Sequence, residues 1–121
     1  MRRGLAVALI LAIAAAASSG SAHPQIRAAN PAANAVLASS PPGIRIAFNE
    51  DLVAAFSGLE LRDGAGRVVA VGPATVNPAD KRELAAPLRA RLSVGTYTVS
   101  WRAVGADTHH VAGSYSFAVR P

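Results

Sequence analysis

Every histidine of the chain lies in one of two short stretches, Ser21-Ala22-His23-Pro24-Gln25 near the front and Ala106-Asp107-Thr108-His109-His110 near the back. There is no cysteine, and Met1 is the only methionine. Thiolate metal sites and disulfide chemistry are therefore excluded, and nitrogen and oxygen donors remain. A histidine at the very start of a chain offers more than an internal one, because its α-amine and its own Nδ1 can close a six-membered chelate ring. The α-amine titrates near pH 8, roughly two units below lysine, so a metal displaces its proton easily at neutral pH. Pro24 has no amide hydrogen to lose, so the next backbone nitrogen cannot be recruited, and further ligands must come from elsewhere in the fold.

The second stretch can supply them. In an extended segment residues i and i+2 point the same way, so Asp107 and His109 are expected on one side, with Thr108 and His110 on the other. Amine nitrogen, His23 Nδ1 and one imidazole nitrogen of His109 make a T-shaped set, with the Asp107 carboxylate as a fourth, oxygen donor. Nitrogen and oxygen in a roughly square arrangement suit Cu(II), whereas zinc prefers a tetrahedron and Cu(I) prefers sulfur. A lone Asp-x-His pair is common on loops. Its weight here comes from its combination with His23.

For His23 to lead the chain, what precedes it must be removed. Residues 1–22 have two arginines, an uncharged run from Leu5 to Ala17 and a small-residue ending at Ala22. That is the layout of a secretory signal peptide, and the run is too short to span a bilayer. Cleavage after Ala22 is expected, leaving residues 23–121 as one domain without a membrane anchor; cleavage around Ala17 or a retained anchor are the alternatives. Ten of the twelve basic residues remain, against seven acidic ones. They are scattered, with few aromatics between them, so nucleic acid is not an expected partner.

The elements that must position the histidines read as strands. Gly43 to Asn49 alternates, with Ile44, Ile46 and Phe48 on one face; Gly95 to Arg102 alternates, with Tyr97, Val99 and Trp101 inward; and Ser114 to Val119 repeats the pattern. Leu59 to Arg62, the turn Asp63-Gly64-Ala65-Gly66 and Arg67 to Val71 form a hairpin. Further strands are expected at Gln25 to Arg27 and around Arg82 to Ala86, with turns at Asn30-Pro31 and Ser40 to Gly43. About seven strands at this spacing predict an all-β, Ig-like or cupredoxin-like Greek-key sandwich, with Trp101 and Phe117 as core anchors.

These pieces in this order resemble one family, the CopC/PcoC-type periplasmic copper-resistance proteins. The likeness rests on His23-Pro24, the Asn-Pro-Ala turn, Ile46 to Leu52 (IAFNEDL), Phe56 to Leu61 (FSGLEL), Leu92 to Val104 and Ala106 to Phe117, and spans nearly all of residues 23–121. It implies a seven-stranded sandwich that holds one Cu(II) by a histidine brace. It places His23 on the chelating N-terminus, Asp107 and His109 on the family's Asp-x-His pair, and Glu50 on a glutamate beside the site, where it would accept a hydrogen bond from the amine. An exposed turn carboxylate is the alternative for Glu50. There is no methionine-rich loop for Cu(I), and His110 stands where many members have proline; a solvated loop histidine is its simplest reading.

The function expected is that of a monomeric, non-enzymatic Cu(II) carrier or buffer in copper resistance or homeostasis, periplasmic, or secreted or wall-associated in a Gram-positive source. A membrane copper transporter of the CopD type is its candidate partner. Two other classes compete: an oxidative copper enzyme using the same brace, and a metal-free Ig-like interaction module. An anionic Asp107 favours Cu(II) over Cu(I) and so disfavours oxygen activation. No Gly-x-Ser-x-Gly elbow is present for nucleophilic catalysis.

Overall fold

Alternation of apolar and polar residues dictates two packed sheets, and the computed structural model, which describes residues 24–121, has them. Residues 1–22, expected to be a signal peptide, and His23 lie outside the described residues. Among the described residues nine strands run in chain order: β1 (Ile26–Asn30), β2 (Val36–Leu37), β3 (Gly43–Phe48), β4 (Gly58–Arg62), β5 (Val68–Val69), β6 (Thr75–Asn77), β7 (Asp80–Pro87), β8 (Gly95–Val104) and β9 (His110–Val119). One sheet has the order β1-β3-β7-β6 and the other β2-β9-β8-β4-β5. Every neighbouring pair is antiparallel except β2 and β9. The fold class is the expected all-β sandwich. The count exceeds seven because two-residue strands such as β2 and β5 are too short to carry a period in the sequence.

The core is built from the inward residues of both sheets. Ile44, Ile46 and Phe48 of β3 and Leu84 and Ala86 of β7 face Leu59 and Leu61 of β4, Tyr97, Val99 and Ala103 of β8, and Phe117 and Val119 of β9; all are buried. Phe48 meets Trp101 edge to face across the sheets, with ring centroids 5.2 Å apart. Tyr97 stacks on its cross-strand partner Phe117 at 5.7 Å. Trp101 keeps some exposure and packs against the core's margin, where its indole lies over Gly113; a Cβ at that glycine would stand 2.6 Å from the ring. A short 3-10 turn (Ala54–Phe56) leads into β4. Ser57 secures it, donating its hydroxyl to the Val53 carbonyl at 2.9 Å and accepting the Val104 N–H at 3.1 Å.

β8 and β9 are the longest strands, ten residues each and paired along their whole length. The connection between them carries Asp107 and His109.

Candidate metal centre

The β8–β9 connection is a turn, which corrects the extended geometry expected from sequence. The Thr108 N–H donates to the Gly105 carbonyl at 2.9 Å, and the Gly105 N–H donates to the His109 carbonyl at 3.3 Å. Thr108 takes φ = 68°. A β-branched residue rarely adopts this left-handed backbone, and such strained positions cluster at functional sites. In an extended segment Asp107 and His109 would stand about 7 Å apart with parallel side chains. The turn instead folds them into contact: His109 Nδ1 lies 2.7 Å from Asp107 Oδ2, and the His109 N–H donates to Asp107 Oδ1 at 3.3 Å.

This contact sets the local electrostatics. The side-chain hydrogen bond from His109 is the first cause holding the Asp107 carboxyl below the usual carboxylate range, with the backbone bond second. Asp107 is thus an anion at neutral pH. A carboxylate on one imidazole nitrogen fixes the ring and raises the donor strength of the other, the usual support for a metal-binding histidine. Both side chains are open to an ion, His109 being 54% and Asp107 38% exposed.

Glu50 follows β3 and reaches the same place from the other sheet. Leu52 and Gly105 form an isolated bridge, and the Val53 N–H donates to the Val104 carbonyl at 2.7 Å, so the Glu50 loop is laced to the end of β8. The missing side chain of Gly105 makes room. A Cβ there would run into the Glu50 carboxylate and stand 3.1 Å from Asp107 Oδ1. Two carboxylates thus flank one bare Cα, and among the described residues neither is paired with a lysine or arginine. That donor set suits a cation.

The front of the chain is pinned beside this loop. The Gln25 N–H donates to Asn49 Oδ1 at 2.8 Å, and the Asn49 N–H donates to the Gln25 carbonyl at 2.9 Å. Pro24 is buried. The residue preceding Glu50 therefore holds the chain two positions after His23, which itself lies outside the described residues. Among the described residues no three His, Asp or Glu side chains are gathered to hold a metal by themselves. Asp107 and His109 are in contact, and the Glu50 carboxylate stands on the other side of the bare Gly105 Cα.

His110 departs from this group. It opens β9 opposite Val104, with its side chain exposed. Gly105, Thr108 and Asn49 act on the site without having been singled out in the sequence. The one legible sign was a glycine between a strand and an Asp-x-His motif.

A CopC domain model matches residues 26–120. The chain belongs to the CopC family. Copper resistance protein C of Escherichia coli is 37% identical over 110 residues, covering 86% of this chain and 86% of its own. Among solved structures, CopC from Methylosinus trichosporium OB3b superposes with a TM-score of 0.76 at 31% identity, covering 82% of this chain and 95% of that one. PcoC, a methionine-rich copper resistance protein from Escherichia coli, gives 0.72 at 35% identity, covering 82% of this chain and all of that one. The resemblance read from sequence is thereby borne out. This CopC-family chain differs from that relative's description in having Met1 alone.

Proposed function

We propose that this CopC-family chain is an exported Cu(II)-binding protein, a carrier or buffer in copper resistance or homeostasis, whose cargo is held by a histidine brace. Export removes residues 1–22 and exposes His23, whose amine and Nδ1 chelate the ion. His109 supplies a third nitrogen and Asp107 an oxygen. Glu50 accepts a hydrogen bond from the amine and holds it in place. Asp107 can offer Oδ1 to the ion while Oδ2 stays on His109 Nδ1, which leaves the other imidazole nitrogen for the metal. The reading rests chiefly on the two hydrogen bonds between Gln25 and Asn49, which tie the front of the chain to the loop carrying Glu50, beside Asp107 and His109. From Gln25, two residues of chain reach at most about 7 Å, so His23 stays near the loop that carries Glu50.

The activity is binding and release, with no catalytic residue, in the periplasm, and a membrane copper transporter of the CopD type is the receiving partner. The absence of sulfur donors makes Cu(II) the retained state and Cu(I) the released one. Titration of Cu(II) into protein beginning at His23, and into protein with one residue added ahead of it, tests the brace. The added residue opens the chelate ring. Affinity is expected to fall by several orders of magnitude, with loss of the Cu(II) visible and EPR signals. Equal affinity in the two forms overturns the brace, and no Cu(II) uptake by either overturns the copper reading.

A further inference from the structure

A different part of β9 carries an inference that does not depend on copper. β2 pairs with β9 only at Ala118 and Val119, while β8 pairs with all of it. The Ala118 N–H donates to the Ala35 carbonyl, the Arg120 N–H to the Leu37 carbonyl, and Ser116 accepts from the Asn34 N–H. Even-numbered residues of β9 therefore turn their backbone groups away from β8. By the alternation of an antiparallel ladder, the N–H and C=O of His110, Ala112 and Ser114 point the same way. Among the described residues no strand lies there to meet these six groups.

Open edges are a hazard that folds ordinarily blunt with brevity, irregularity or charge. The other edges of this sandwich are blunted, and the part of β4 that β5 leaves uncovered, Gly58 to Glu60, is only three residues long and carries a charge. β2 and β5 have two residues each, β6 has three and a register shift, and β1 carries Arg27 and another shift. The β9 edge is long and regular. From Val111 to Val119 it has no charge and no proline.

We propose that the free edge of β9 pairs antiparallel with the same edge of a second copy of this chain. The open residues are symmetric about Ala112. A two-fold axis there sets Ala112 against Ala112 of the copy and His110 against Ser114, and closes all six backbone groups in six hydrogen bonds. The Ser116 carbonyl, already taken by Asn34, ends the open stretch at the other side. Charge selects the occupant: a neutral edge gives a charged strand nothing to recognise, while a copy brings no like charges into opposition. The contact is small beside the ~1,200–2,000 Å² of a stable interface, so the association is weak and concentration-dependent. The expectation of a monomer then holds only in dilute solution.

The test uses the chain beginning at His23, with chelator and with Cu(II). Amide hydrogen exchange is followed from micromolar to millimolar protein. The amides of His110, Ala112 and Ser114 are expected to become protected as concentration rises, while Val111, Gly113 and Tyr115, bonded to β8, are protected throughout. Ala112→Lys and Ala112→Glu each set like charges directly opposite across the axis and are expected to abolish the association. Mixing the two restores it as a heterodimer, up to about fivefold tighter than the parent pair. Ala112 is exposed and its N–H serves no bond to β8; its neighbour there is the exposed Arg102, which repels a lysine and attracts a glutamate by at most about fivefold in the folding equilibrium, so both variants keep the fold. Even-numbered amides that exchange as fast at millimolar as at micromolar concentration overturn the proposal. So does a mixture of the two variants that fails to pair.

Discussion

At the scale of single residues, the site depends on an atom that is not there. Gly105 lets the Glu50 carboxylate approach Asp107, and any Cβ at this position displaces it. Gly105→Ala is expected to lower Cu(II) affinity by about 10- to 100-fold, the usual effect of losing a partner behind a metal ligand, with circular dichroism unchanged. Glu50→Gln should fall in the same range. A G105A variant that binds Cu(II) as the parent does would remove Glu50 from the site. The sequence made Asp107 and His109 legible, because residue type and spacing suffice to mark donors. It hid how they meet. Thr108 gives no propensity signal for a left-handed backbone, so the segment read as extended while the chain turns there.

At the scale of elements, β9 holds an inward polar group with nothing to bond. Among the described residues the Tyr115 hydroxyl is buried without a hydrogen-bond partner, and burial pushes its ionisation up from 10.0 to about 12. Tyr115→Phe removes the orphan hydroxyl and should raise stability by about 1 kcal/mol in urea unfolding at neutral pH. The sign of the pH dependence follows. Between pH 10 and about 12 the unfolded chain releases this proton while the folded chain retains it, so stability falls as pH rises through that window. Y115F should lack this part of the alkaline decline, and phenolate absorbance should report a tyrosine that ionises late. An unchanged profile would show that the hydroxyl finds a partner in solution. Most elements of this kind were readable. β3 was expected from Gly43 to Asn49 and ends at Phe48, because three buried side chains at alternate positions leave no other period. β8 and β9 run further than expected, to Val104 and from His110, because pairing across the hairpin extends strands past the end of their apolar pattern. The hairpin expected to return through Val71 pairs at only Val68 and Val69, with Val71 bridging to Leu88 instead.

At the scale of the whole molecule, a domain without cysteine is held by its interior alone. Leu61 is fully buried between the sheets. Leu61→Ala is expected to cost about 2–5 kcal/mol and to lower the melting temperature by about 10 °C or more, measured by calorimetry on metal-free protein. A drop of only a degree or two would mean that the two sheets are not the cooperative unit. The sandwich as a class was legible because a core on this scale imposes alternation on every long strand. The allocation of strands between sheets was not, since Phe48 and Trp101 read alike in sequence although they face each other across the interior.

The turn from Gly105 to His109 sits at the tip of the longest hairpin, beyond the point where the Ser57 hydroxyl takes up the last β8 amide, Val104. Its donors hang on the scaffold without being woven through it. If the proposed copper site is right, Asp107 to His109 form an interchangeable cassette, in which other short ligand sequences can be installed to retune metal preference while the hydrophobic interior is left untouched.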